Sequence, residues 1–220
     1  MRVSRHINSV LRSNTYIISE DEESHVFVID PGDTIPILEW IKSNNKIISG
    51  IILTHSHYDH IYGLNDLIGA FPSIKLYIVH LTLEGLFSEK LNTSLYHEKP
   101  FILKIEYERN LVFIESNSKY RLWGSDFFSI IHTPGHTKDS IAINVADYLF
   151  CGDALIPGLK VYKVKGSDSE AIVDSINKIC NTFHGTTLLL PGHGDVCILD
   201  HLPLVKEFKK LEYGKFFCEI

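Results

Sequence analysis

The sequence contains no Cys-x-x-Cys pair; its four cysteines, Cys151, Cys180, Cys197 and Cys218, are widely scattered. That spacing excludes a zinc knuckle and a disulfide framework and leaves free thiols as the expected state. No block of Lys or Arg occurs, and the formal net charge is -6. The electrostatic footprint of a nucleic-acid binder is therefore missing, and a small-molecule substrate is expected instead. Apolar runs are short, because Lys, Glu, Ser or Gly interrupts each of them, so none approaches the ~20 residues of a membrane span. The opening segment, Met1 to Asn8, carries early positive charge without the apolar block of a signal peptide. The expected protein is cytoplasmic, with neither membrane nor nucleic acid as partner, and no segment specifies an oligomeric state.

What is present is an ordinary globular composition, 45% hydrophobic and 22% charged over 220 residues, enough to bury a sizeable core in one compact domain spanning 1–220. Thr15 to Ile18 and Val26 to Ile29 are β-rich runs separated by the acidic Glu20 to Glu23, which predicts a hairpin with a solvated turn. Asp30-Pro31-Gly32 signals a turn, and Ile35, Leu38, Trp40 and Ile41 fall at helical spacing. A strand is expected over Ile47 to Leu53, a helix through Leu64, Leu67 and Ile68 ending at Phe71-Pro72, and a strand over Leu76 to Val79. His80 to Pro100 reads as a helix followed by a polar loop through Asn92-Thr93-Ser94. Short strands follow at Leu111 to Ile114, Tyr120 to Trp123, Phe127 to Ile131, Ser140 to Val145 and Tyr148 to Phe150. Ser167-Asp168-Ser169-Glu170 resembles a capping box opening a helix with Ile172, Ile176 and Ile179 on one face. A buried strand over Thr186 to Leu190 and an amphipathic helix over Pro203 to Leu211 complete the chain. Strands with helices in both halves point to α/β or α+β with two sheets.

Chemistry concentrates in Thr54-His55-Ser56-His57-Tyr58-Asp59-His60, directly after an apolar run. Three imidazoles and a carboxylate this close are costly to assemble unless a cation sits among them. Further ligands are expected where apolar runs end, since strand ends aim side chains from a rigid scaffold. Phe127 to Ile131 leads into His132-Thr133-Pro134-Gly135-His136, Tyr148 to Phe150 into Cys151-Gly152-Asp153, and Leu188 to Leu190 into Pro191-Gly192-His193-Gly194-Asp195. Both Pro-Gly-His triplets suit tight turns with positive φ at glycine. The candidate ligands are then His55, His57, Asp59, His60, His136, Asp153 and His193. One tetrahedral zinc takes four ligands, so seven suit two ions sharing a bridging carboxylate. Two ions roughly 3.5–4 Å apart can hold a bridging water or hydroxide. Two zinc ions are expected, with iron or manganese also compatible with the ligand set.

These motifs, with Val28-Ile29-Asp30-Pro31-Gly32 and Thr133 to Thr137, resemble in order those of metallo-β-lactamase-fold hydrolases, and among them small glyoxalase II-like proteins. The resemblance implies an αββα sandwich, of class α+β, with two mixed sheets face to face, helices on both outer faces, and the metals at one edge. It implies His55, His57 and His136 on the first ion, Asp59, His60 and His193 on the second, Asp153 between them, and Asp30 in an outer, supporting position. The chain departs from glyoxalase II in lacking its C-terminal helical extension, and Lys160, Lys163 and Lys165 do not clearly match the glutathione-holding pattern. Lactonases of this fold place a tyrosine where Ile156 stands, and β-lactamases usually have Ser or Cys near the Asp153 position, which sets an antibiotic target aside. The nuclease branch needs a large inserted domain, for which the chain has no room.

Blander readings apply elsewhere. His132 is a supporting donor or an ordinary strand-end histidine, and Asp195 is read as stabilising its own turn. Tyr58 either lines the pocket or covers the metal loop. His6, His25, His80, His97, His184 and His201 have no ligand context. The expected activity is hydrolysis of a small thioester, ester or lactone, with Asp59 orienting the attacking hydroxide and passing its proton to the leaving group. The alternatives are an iron-dependent oxidoreductase like the persulfide dioxygenases, and a non-catalytic metabolite-binding relative.

Overall fold

The structure, a computed structural model, describes residues 1–158 and 167–202. The first sheet holds, in spatial order, β1 (Arg2–Ile7), β2 (Asn14–Ser19), β3 (His25–Ile29), β4 (Ile47–Ile52), β5 (Lys75–Ile78) and β6 (Leu111–Phe113). Its first three strands pair antiparallel and β3 to β6 pair parallel, so it is mixed. The second sheet holds β7 (Lys119–Trp123), β8 (Asp126–His132), β9 (Ile141–Val145), β10 (Tyr148–Gly152), β11 (Leu188–Pro191) and β12 (Cys197–Ile198), also in sequential order. There only β10 and β11 pair parallel. Helices α1 (Thr34–Ser43), α2 (Tyr58–Ile61), α3 (Leu64–Ala70) and α4 (Thr82–Leu86) belong to the first half, and α5 (Ser169–Thr182) lies between β10 and β11 in the chain.

The two-residue period of the strands sorts apolar side chains into three layers. Phe27 and Ile29 of β3 join Phe128, Ile130 and Phe150 between the sheets, whereas Val26 and Val28 join Ile37 and Ile41 of α1 on the far side. In β10 Phe150 faces inward, and Leu149 and Cys151 join Ile172, Ile176 and Ile179 of α5. Helix, sheet, sheet, helix is the resulting order, the α+β sandwich with mixed sheets that the motifs imply. No helix among the described residues is long and apolar enough to cross a membrane.

Three local details add to these expectations. The segment Arg2–Ile7 is an edge strand paired along its length with β2. Helix α5 is capped by Asp168, whose carboxylate accepts the backbone N–H of Glu170 and Ala171; Ser167 lies outside the cap. In the stretch read as a polar loop, Asn92 and Ser94 are buried. Asn92 donates to the carbonyls of Gly85 and Phe101, and Ser94 Oγ accepts the N–H of Phe101, so the polarity is used to hold the loop closed. The helix expected over Pro203 to Leu211 and the lysines at 160, 163 and 165 lie outside the described residues.

Strand direction brings the candidate ligands to one edge. β3 and β4 run parallel; β8 and β10 are both antiparallel to β9; β11 runs parallel to β10. In each sheet, therefore, the C-terminal ends that precede the ligand motifs point the same way. The two sheets are tied at this edge, where the N–H of Ile141 donates to the carbonyl of Thr54 at 2.9 Å.

Phe128 is fully buried between the sheets and packs on Tyr77 and Tyr120, with ring centroids 5.4 and 5.2 Å away. Phe128→Ala is expected to cost about 3–5 kcal/mol through lost burial and a residual cavity. Urea denaturation checks this as a lower midpoint at an unchanged m value.

Candidate metal centre

Each ligand is delivered by a short segment leaving a strand. His55 and His57 occupy the loop after β4; Asp59 and His60 lie on α2; His136 follows β8, Asp153 follows β10, and His193 follows β11. Two clusters of ligating atoms form, His55 with His57 and His136, and Asp59 with His60 and His193, the atoms of each lying within 4.8 Å of one another. Asp153 stands between them. Its Oδ2 is 3.3 Å from His136 Nε2 and 3.5 Å from His193 Nε2, and its Oδ1 is 3.6 Å from His60 Nε2. All seven residues proposed from the sequence thus converge on one place.

The atoms themselves show what the place is built for. His55 Nε2, His60 Nε2 and Asp153 Oδ1 are buried and have no hydrogen-bond partner among the described residues. Asp59 Oδ2 lies 3.1 Å from His193 Nε2 and 3.3 Å from His60 Nε2, also without hydrogen-bond geometry. Buried polar atoms are otherwise nearly always satisfied. A group of them converging from imidazole and carboxylate is the arrangement a divalent cation completes, so the residues fit metal ions.

The outward-facing nitrogens are held. His55 Nδ1 lies 3.0 Å from Thr54 Oγ1, and His60 Nδ1 lies 3.1 Å from Asp30 Oδ2. Asp30 also accepts the Thr54 N–H and hydroxyl at 2.8 and 2.6 Å. Asp30, His55 and His60 form a third group with metal-like spacing, but the carboxylate of Asp30 is already engaged by Thr54 and His60. Its role here is to orient two ligand rings, one directly and one through Thr54. Asp30 adopts φ 52, a left-handed conformation uncommon for any residue but glycine.

For the protein groups alone, burial holds the rings of His55 and His57 neutral, His55 well below the usual range and His57 at about 4. Burial raises the Asp153 carboxyl to about 6, against the pull of His60 and His193. Burial also disfavours charge on His60 and Asp59, yet the carboxylates of Asp59 and Asp153 raise His60 well above the usual range, and His60 and His193 hold Asp59 below it. The carboxylates thus draw positive charge to the point where the unsatisfied atoms meet.

Glycine matters twice. Gly135 has φ +138, and a Cβ there would lie 2.5 Å from the backbone N of Ile172, so its turn takes the positive φ expected of it. Gly192 has no such φ. It is required for space, since a Cβ would lie 2.1 Å from Asp153 Oδ1 and 2.8 Å from His60 Cε1.

Other candidates fall elsewhere. No hydrogen bond among the described residues joins the His132 ring to the cluster; the His132 carbonyl accepts Lys178 Nζ, while burial and that lysine lower the ring pKa. Tyr58 is buried against Tyr62 and His97 behind the ligand loop. Cys151 and Cys197 are free thiols. Asp139 was not singled out from the sequence, although it is buried with the hydroxyls of Ser56, Thr82 and Thr137 around its carboxyl. Burial raises its pKa. Its only sequence signal is its position three residues after His136.

Fold and centre together define a metal-binding protein of the αββα class. Residues 8–193 match the metallo-beta-lactamase superfamily, and the chain belongs to that superfamily. Among solved structures it is similar to the BLEG-1 B3 metallo-beta-lactamase, at 26% identity and TM-score 0.79, over 93% of this chain and 99% of that one. It is similar also to TTHA1623 in a di-iron-bound form, at 25% identity and TM-score 0.74, over 90% and 95% of the two chains. ETHE1 from Myxococcus xanthus shares the fold at 20% identity and TM-score 0.67, over 98% and 93%.

Asp30→Asn is expected to weaken metal binding about 10- to 100-fold by loosening His60 and Thr54, measured by titration against a competing chelator. Gly192→Ala is expected to displace Asp153 and lower the metal content per chain, read by elemental analysis of folded protein.

Proposed function

We propose that the chain is a cytoplasmic dinuclear metallohydrolase that opens a small-molecule thioester, ester or lactone, with a glyoxalase II-like thioester as the leading substrate class. One observation carries this reading: the buried carboxylate of Asp153 lies between two three-residue groups, near His136 of one and His60 and His193 of the other. In this reading His55, His57 and His136 hold the first ion, Asp59, His60 and His193 hold the second, and Asp153 is shared. Zinc suits the all-imidazole-and-carboxylate set, and iron or manganese can occupy it too.

Divalent ions bound there would supply Lewis acidity, lowering the pKa of water towards about 7 and polarising a carbonyl. The protein groups do the rest. Asp59 Oδ2 faces the centre and serves as the proton carrier, orienting the attacking water, accepting its proton and delivering it to the leaving group. Thr54 and Asp30 keep the ligand rings from turning.

A second reading is an iron-dependent oxidoreductase of the persulfide dioxygenase kind. The ligand set contains no thiolate and accepts iron, and one similar structure is a di-iron form. Metal analysis of protein purified without added metal separates the readings, since a mononuclear iron centre with oxygen uptake would reverse the ranking.

His57→Ala and Asp153→Ala are each expected to remove most hydrolytic activity while leaving the far-UV circular dichroism unchanged. Activity is measured over acyl-glutathione, acyl-CoA, lactone, β-lactam and phosphodiester substrates. Wild-type turnover of a thioester by the Asp153 variant would sink the mechanism.

A further inference from the structure

We propose that Asn14 and Tyr16, assisted by Arg5, form a clamp from the β1–β2 hairpin that positions His193 and thereby sets the affinity of the second ion site. The proposal rests on the dinuclear reading above.

His193 differs from His60, the other imidazole of its group, in two ways. Its side chain is 20% exposed, while those of Asp59 and His60, which share its group, are 6% and 0% exposed. Second, the outward ring nitrogens of His55 and His60 are held by Thr54 and Asp30, but no hydrogen bond among the described residues reaches His193 Nδ1. A ligating imidazole normally has its second nitrogen fixed, which sets ring orientation and limits the entropy lost on binding. His193 must take its position from its backbone.

That backbone is gripped on both sides. The Asn14 amide donates at 2.9 Å to the carbonyl of Pro191 and at 2.9 Å to that of Gly194, spanning the histidine. Tyr16 Oη donates to the Pro191 carbonyl at 2.7 Å, and the Asn14 backbone N–H donates to the Gly192 carbonyl at 2.6 Å. A β-bridge pairs Ser13 with His193 itself. Asn14 and Tyr16 are 1% and 2% exposed, so their hydrogen bonds are shielded from competing water. Arg5 adds a bond to the Gly194 carbonyl at 2.9 Å and a pair with Asp195 at 3.1 Å. Asp195 is 91% exposed, so that pair contributes little, and the weight falls on Asn14 and Tyr16. Asp195, read from the sequence as stabilising its own turn, makes only this exposed contact with Arg5 among the described residues.

The first group lies outside this clamp. His55, His57 and His136 are all buried, on loops after β4 and β8, and among the described residues no side-chain hydrogen bond joins Asn14 or Tyr16 to them. Loosening the clamp should thus separate the two sites.

The test titrates metal-free wild type, Tyr16→Phe and Asn14→Ala with Co2+, reading stoichiometry by elemental analysis and ligand geometry by the visible d–d absorption. Tyr16→Phe keeps the ring and removes the hydroxyl, which donates to Pro191 and accepts from Asn14; urea midpoints check that each variant is folded. The expected result is two ions per wild-type chain, with the first bound at unchanged affinity in both variants and the second weakened about 10- to 100-fold. Variants that keep both ions at wild-type affinity and spectrum overturn the clamp, as does equal weakening of the two sites. If Asn14→Ala does not fold, Tyr16→Phe decides alone. Wild type that binds only one ion overturns the dinuclear reading, and the clamp with it, which is a different outcome from a failure confined to the variants.

Discussion

The structure depends on one electrostatic constraint. Asp59 and Asp153 are buried beside a set of imidazoles, and among the described residues His55 Nε2, His60 Nε2 and Asp153 Oδ1 have no hydrogen-bond partner. Burying charge without compensation costs several kcal/mol per group. The surrounding strands must therefore hold the cluster in a geometry where positive charge can be shared between the carboxylates. His60 shows the tension directly, drawn up by the two carboxylates while burial pulls it down.

The sandwich supplies the necessary stiffness. Ligands lie on short segments whose roots are strands packed on both faces, by the inter-sheet aromatic layer on one side and helices on the other. Close approach at the edge is permitted by small residues, with Gly192 leaving room for Asp153 and Gly85 leaving room for Ser56, whose Oγ would lie 2.0 Å from an added Cβ. The supporting contacts are unequal. Asp30 and Thr54 steady ligand rings from the outside, Asn92 accepts the N–H of Tyr58 at 2.7 Å to anchor the start of α2, and the His193 turn is held mainly through its backbone carbonyls. The support of the ligands is therefore uneven across the centre.

Membership of the superfamily places the chain among proteins whose shared framework carries several chemistries, and function lives in the site rather than the fold. Similar structures include a B3 metallo-beta-lactamase and a di-iron form, so the framework itself does not choose a substrate.

The sequence alone determined the elements that depend on local order. Alternating apolar runs in β3 and β10, the helical face of Ile172, Ile176 and Ile179, and the position of every ligand immediately after a strand were legible because they follow from the two- and 3.6-residue periods. The His-x-His-x-Asp-His cluster was legible because its ligands are neighbours in the chain. Only the tertiary structure decided which distant residues support them. Asn14 and Gly194 are 180 positions apart, Asp30 and His60 are 30 apart, and Asp139 meets Ser56 from another sheet. Such pairs leave no periodic trace, since they are set by how strands from two sheets meet at one edge. The same reason applies to the polar loop at 92 and 94, whose burial the sequence does not record: composition records polarity, and only packing decides whether water or the chain itself satisfies it.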